Sequence, residues 1–381
     1  MDRKPDPECK NIEKKKICYI HSDDILQKCN TLMRIPNRAD MVHSLIEAYG
    51  LLNCMSIIEP RQATDDELLG FHATDYIEFL HTIDDLSEED KCGDEAEEFG
   101  LVYDCPIQDG VFHCASLVGG ATITAAEKLV SGESDIAINW YGGWHHAHRD
   151  SASGFCYIND VVLGILKLRQ KFDRVLYIDL DLHHGDGVEE AFCCTNKVLT
   201  LSFHKYSPGF FPGTGSCEER GYSKGKYHSV NVPLLDGLKD DEFYNIFYRI
   251  MCKVQEVFKP EVIVCQCGAD GLEGDPMQSF NLSPSSLGQC IQYIMSLNKP
   301  LVLLGGGGYN FVNTAKCWTY LTSIAINREL SHDIPDHKYF SMYGPDFDLT
   351  VSAGNRSDSN TREYLHQIYT TVIDNLEKIG S

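Results

Sequence analysis

No stretch of this 381-residue chain stays apolar over the roughly 20 residues that a membrane helix needs. The opening Met1-Asp2-Arg3-Lys4-Pro5 carries no apolar signal region. No paired CxxC motifs mark a structural zinc knuckle, although the chain holds 16 cysteines. Several of these sit inside apolar runs, as Cys265 and Cys267 do, and read as reduced, buried thiols of an intracellular protein. Basic charge is scarce as well: 33 Lys and Arg face 56 Asp and Glu, a net charge of −23. Such a field repels phosphates, so direct nucleic-acid binding is not expected and lysine-rich peptides are the favoured ligands.

What is present is globular: 43% of residues are hydrophobic, enough for a large core. Residues 1–16 are polar, end in Lys14-Lys15-Lys16, and are expected to form a disordered lead to a single catalytic domain over 17–381. Strand-like runs at 17–21, 136–140, 175–181, 198–203, 229–232, 262–267 and 301–304 alternate with helical patterns, notably 113–131, 158–170, 241–258, 285–297 and 312–328. Strands apolar throughout, such as Leu301-Val302-Leu303-Leu304, suit a parallel sheet covered on both faces. The alternation predicts one doubly wound α/β domain. The acidic stretch from Asp84 to Glu98 reads as a solvated surface loop. The Gly-, Ser- and Lys-rich 208–228 reads as a long loop, where function is often placed.

Ligands of open α/β sheets bind beyond the carboxyl ends of the strands, and four of these ends carry His, Asp or Tyr beside glycine. They are Tyr141-Gly142-Gly143-Trp144-His145-His146, Asp179-Leu180-Asp181-Leu182-His183-His184-Gly185-Asp186, Gly268-Ala269-Asp270 and Gly305-Gly306-Gly307-Gly308-Tyr309. Residues two apart on a strand point the same way, so Asp181 and His183 can face one cation, with Asp270 as the third ligand. Two carboxylates and an imidazole suit a catalytic site, with zinc as the default and Fe(II) equally compatible with the donor set. The alternative is three ordinary buried polar residues.

Adjacent His145 and His146 can serve as general base and acid or as an electrostatic pair, each oriented by a carboxylate, for which Asp179 and Asp186 are the natural candidates. Metal ligation or a surface pair is the other reading. Tyr309 is either a ring packed in a tight turn or a hydroxyl for a substrate oxyanion, a donor worth ~2.7–4 kcal/mol in the transition state. The glycines before it match no phosphate-loop pattern. Trp144, Phe155 and Phe210-Phe211 lie beside Gly and Pro in polar loops and can wall an alkyl tunnel.

Assembled, these residues resemble the class I zinc-dependent histone deacetylases, and within them the histone deacetylase 8 subtype. The resemblance spans about Ile17 to Lys378 and includes Ser153-Gly154-Phe155-Cys156-Tyr157-Ile158-Asn159-Asp160 and Ser207-Pro208-Gly209-Phe210-Phe211-Pro212-Gly213-Thr214-Gly215. It implies an arginase-like three-layer α/β sandwich around an eight-stranded parallel sheet, and hydrolysis of the acetyl amide of N6-acetyl-lysine. Asp181, His183 and Asp270 would hold zinc. His146 with Asp186 would be base and acid, His145 with Asp179 would stay charged, and Tyr309 would hold the oxyanion. Gly154, Phe155, Phe211 and Met277 would line the lysine tunnel, Trp144 deeper in, with Asp104 at the rim and Arg38 beside an internal acetate channel. One potassium site would use Asp179, Asp181, His183, Ser202 and Phe203. A second would use carbonyls of Phe192, Thr195, Val198 and His228, the last standing where a tyrosine is expected. Partners would be acetylated lysines of histones and other proteins, cohesin among the candidates, in nucleus and cytoplasm. Pro276 and Val312 replace arginines that hold an inositol phosphate in corepressor-bound members, so no obligate corepressor is expected.

Two competing readings remain: hydrolysis of another amide, such as an acetylpolyamine or a longer acyl-lysine, and an inert acyl-lysine-binding scaffold. Cys105 and Cys156, flanking Asp104 and Phe155, are either two buried thiols or a redox pair at the rim.

Overall fold

Alternate residues of each central strand serve opposite faces of one sheet. Leu176 and Ile178, Ile263 and Cys265, and Leu301 and Leu303 enter one core, while Val175, Tyr177, Val262, Val264 and Val302 enter the other. Two buried faces explain why these strands read as unbroken apolar runs. The computed structural model describes residues 15–379. Its strands are β1 (Ile17–Ile20), β2 (Ser56–Ile58), β3 (Ile136–Asn139), β4 (Val175–Asp179), β5 (Val198–Lys205), β6 (Ser229–Leu234), β7 (Val262–Gln266) and β8 (Leu301–Leu304). They form one sheet in the order β2-β1-β3-β8-β7-β4-β5-β6, every neighbouring pair parallel. The expected α/β architecture with its eight-stranded parallel sheet is therefore the observed one.

Helices Val111–Ser131 and Asp160–Leu168 cover one face; Asp240–Val257, Pro284–Ser296 and Phe311–Ala325 cover the other. β2 escapes a sequence reading because it is a three-residue edge strand, two of whose residues are exposed. The acidic Asp84–Glu98 stretch is mostly exposed, as expected, but folds into short helical turns ending in Asp94–Glu98, anchored by the buried Ala96. Within the proposed lead, residues 1–14 lie outside the described ones. Lys15 Nζ donates to the Met295 carbonyl at 2.9 Å, and the Lys16 carbonyl accepts from the Asp135 and Ile136 amides.

The arrangement that matters for function is central. β3, β8, β7 and β4 are consecutive neighbours, and their last residues Asn139, Leu304, Gln266 and Asp179 lie in register. The four loops singled out in the sequence thus leave the sheet from one line, where the chain reverses its direction of winding, which is where open α/β sheets hold their ligands.

Candidate functional site

Beyond β4 and β7, Asp181, His183 and Asp270 converge with one ligand atom each, all within 4.8 Å of one another. His183 Nδ1 lies 2.9 Å from Asp270 Oδ2 and 3.3 Å from Asp181 Oδ1. The outer lone pairs are already engaged: Gln266 Nε2 and the Gly307 amide donate to Asp181 Oδ2 at 2.7 and 2.8 Å, and the Leu182 amide to Asp270 Oδ1 at 3.0 Å. These bonds aim the remaining oxygens inward, the usual service of groups behind a metal ligand. Gly307 permits this approach, since a side chain there would collide with the Asp270 carboxylate.

Electrostatics favour a cation between the acids. Burial, then the charge of Asp181, pushes the Asp270 carboxyl up to about 7. Burial opposes a charge on His183, yet its bonds to Asp181 and Asp270 raise it to about 10. Two buried carboxylates this close need positive charge between them, and one imidazole nitrogen with two carboxylate oxygens is a donor set that fits zinc.

The histidines on the loop after β3 have rings 4.0 Å apart. His145 Nδ1 pairs with Asp179 Oδ2 at 2.7 Å, and His146 Nδ1 with Asp186 Oδ1 at 2.7 Å. Burial works against a charged His145, but Asp179 and Asp181 outweigh it and raise the imidazole to about 9. Burial and the neighbouring His145 lower His146 to about 4, against the pull of Asp186. At neutral pH one ring is charged and the other is free to accept a proton. The loop is held by Asp160, a fully buried carboxylate that accepts the Gly143 and Trp144 amides.

Tyr309 completes the cluster. It lines one cavity with Trp144, His145, His146, Gly154, Phe155, Asp181 and His183. Burial, then Asp270, keeps its hydroxyl protonated, hence a donor. Phe155 meets the Tyr309 ring edge-on at 5.8 Å between centroids, and Phe211, 40% exposed and not among the residues enclosing the cavity, meets His146 at 4.8 Å. Asp104 Oδ2 accepts the amide of Gly154, a residue of the cavity wall, at 2.7 Å. Met277 packs against the core and is not among the residues enclosing the cavity. Arg38 lines this cavity and also a second one bounded by Tyr19, Cys29, Tyr141 and Trp318, donating to the Gly306 and Gly308 carbonyls at 2.9 and 3.0 Å.

The monovalent-ion candidates are more dispersed. Asp179 and Ser202 are register partners on β4 and β5, and Ser202 Oγ lies 2.8 Å from His204 Nδ1. The Phe192 carbonyl accepts from Thr195, and the His228 carbonyl from Thr200. Phe203 is buried in the core and Val198 opens β5. Cys105 and Cys156 are both buried free thiols: Cys105 Sγ donates to the Cys156 carbonyl at 3.7 Å, Cys156 Sγ to that of Gly154 at 3.4 Å. Burial pushes both thiols upward, away from the reactive thiolate.

Sequence reading missed Asp160, Gln266 and Tyr177, the last donating to Asp179 Oδ2 at 2.6 Å. Asp160 closes one of the motifs already quoted, and Gln266 is a polar residue in an apolar strand, so each left a faint signal.

Residues 32–325 match the family model described as a histone deacetylase domain. The chain is 49% identical over 379 residues to histone deacetylase 8 of Danio rerio, covering 100% of both. It is 52% identical over 362 residues to histone deacetylase 8 of Xenopus tropicalis, with 95% of this chain and 98% of the relative covered. Against histone deacetylase 1 of Homo sapiens the identity is 44% over 371 residues, 96% of this chain and 76% of the relative.

Proposed function

This chain belongs to the histone deacetylase family, a class I member and a hydrolase of acetyl-lysine, and on that premise we propose how its residues carry out the reaction. Asp181, His183 and Asp270 would hold zinc, with Fe(II) as the competing ion. When bound, the metal makes water more acidic and polarises the acetyl carbonyl. His146 Nε2 faces the cavity because Nδ1 is committed to Asp186, and takes a proton from the attacking water. The water oxygen bonds to the carbonyl carbon, and charge builds on the carbonyl oxygen. The Tyr309 hydroxyl donates to that oxygen, and the charged His145 lowers the cost of negative charge nearby. The carbon–nitrogen bond then breaks, the amine nitrogen takes a proton from the histidine pair, and acetate and free lysine leave. Trp144 and Phe155 exclude water around the lysine stem, and Asp104 grips the peptide backbone at the rim.

The observation that carries this reading is one cavity lined by His145, His146, Asp181, His183 and Tyr309, with Asp270, Asp179 and Asp186 paired to its histidines from behind. The substrates proposed are acetylated lysines of histones and other proteins, cohesin among them, in nucleus and cytoplasm. Potassium at the two candidate sites belongs to the same proposal. The test is full-length protein stripped by a chelator, reloaded with zinc or Fe(II), and assayed on acetyl-lysine peptides, longer acyl-lysine peptides and acetylpolyamines. Activity restored by metal and greatest on acetyl-lysine is expected. A preference for acetylpolyamines would overturn the substrate, and activity unaffected by stripping would overturn the metal assignment.

A further inference from the structure

Asp275 is a buried carboxylate that the chemistry above leaves without a task. It is 2% exposed and pairs with no Lys, Arg or His among the described residues. Its partners are backbone amides. Oδ2 accepts from Tyr309 at 2.7 Å and from Asn310 at 3.1 Å, while Oδ1 accepts from Met277 at 3.0 Å. Asn310 caps the 15-residue helix Phe311–Ala325, so the carboxylate also faces the positive end of a helix. Three amides and that helix end offset part of the cost of burying its charge, though burial still holds the carboxyl above its ordinary value.

The bonds join two loops that the sequence keeps far apart. The loop after β7 carries Asp270 and Asp275; the loop after β8 carries Tyr309. Two further bonds brace the seam: Asn310 Nδ2 to the Gly274 carbonyl and Asn313 Nδ2 to that of Glu273, both at 2.9 Å. The Tyr309 hydroxyl itself has no hydrogen-bond partner among the described residues. Its direction is therefore set by its backbone and by the edge of Phe155. That backbone is pinned from two sides, by Asp275 on the Tyr309 and Asn310 amides and by Arg38 on the Gly308 carbonyl.

We propose that Asp275 is a positioning residue for deacetylation: by fixing the Tyr309 and Asn310 amides it aims the Tyr309 hydroxyl at the reacting carbonyl. This rests on the reading of Tyr309 as oxyanion donor. Displacing a reacting group by about 1 Å can cost on the order of a hundredfold in rate, so the carboxylate acts on turnover while touching no substrate.

The test is a double-mutant cycle in the full-length, zinc-loaded protein with Asp275→Asn, Tyr309→Phe and both together. In Asp275→Asn one acceptor oxygen becomes an amide donor. The expected result is a kcat lower by about ten- to a hundredfold, with KM within about twofold and the zinc-to-protein ratio and melting temperature unchanged. In the Tyr309→Phe background the same substitution should change kcat by less than about twofold, because the two residues act as one unit. A trifluoroacetyl-lysine peptide, whose carbonyl needs less help from a donor, should show a smaller loss. Asp275→Ser, which can still accept from Met277, should repeat the kcat loss. If Tyr309→Phe is harmless, the oxyanion reading falls. If Tyr309→Phe is severe but the cycle is additive, or Asp275→Asn leaves kcat unchanged, the positioning role falls alone. If neither Asp275 variant folds or retains zinc, Asp275 is a folding determinant and the proposal is wrong.

Discussion

His145 and His146 are chain neighbours, and each pairs through Nδ1 with a carboxylate at the same 2.7 Å, yet one imidazole is raised to about 9 and the other lowered to about 4. The bonded partner is therefore not what separates them. The His145 ring lies near a second acid, with Nε2 3.9 Å from Asp181 Oδ1, while His146 has the charged His145 beside it and one nearby carboxylate, Asp186. His183 also lowers His146, its ring 6.0 Å away. One charge more or less just beyond the first partner reverses the protonation state, because low-dielectric surroundings make such charges count.

Four substitutions would break or sharpen this contrast. The largest effect belongs to His146→Ala: kcat on an acetyl-lysine peptide should fall by a factor on the order of 10²–10⁴, with the melting temperature preserved. Unchanged turnover would remove His146 from the mechanism. Next is His145→Gln, with an expected kcat loss of about tenfold and an informative pH profile. His146 must be neutral to accept a proton, so activity is present above its pKa and disappears as pH falls through it. The charge on His145 holds that pKa down, so removing it should move the acid limb of kcat/KM to higher pH; a limb that stays or moves lower refutes the assigned order. Tyr177→Phe is milder. It removes one donor from Asp179 and should cost roughly 1–3 kcal/mol in urea unfolding and a few-fold in kcat. Smallest of all is His81→Ala. His81 Nε2 lies 3.0 Å from Asp65 Oδ1, but the two side chains are 46% and 62% exposed. With solvent screening the pair, no measurable change in stability or activity is expected.

Much of the site was legible because its chemistry is local in sequence. Period-two spacing placed Asp181 and His183 on one side, and strand-end glycines marked the Tyr309 loop. What escaped were supporting residues that lie outside the strand-end signatures and act through backbone amides or another side chain: Asp160 holding the histidine loop, Gln266 turning Asp181, and Asp275 joining the loops of β7 and β8. β2 escaped for a different reason, being an exposed three-residue edge with no apolar pattern. Met277, read in the sequence as tunnel lining, is partly buried against the core, and its amide bonds Asp275.

The residues alone determined a doubly covered parallel sheet and the identity of the reacting groups, because apolar period and ligand type are properties of short segments. Which strands became neighbours was decided only by the folded chain. β3, β8, β7 and β4 meet at the centre in register through contacts spanning up to 165 positions, as between Ile136 and Leu301. The protonation of the two histidines was decided there as well, since it depends on charges that only three-dimensional packing brings within a few ångströms.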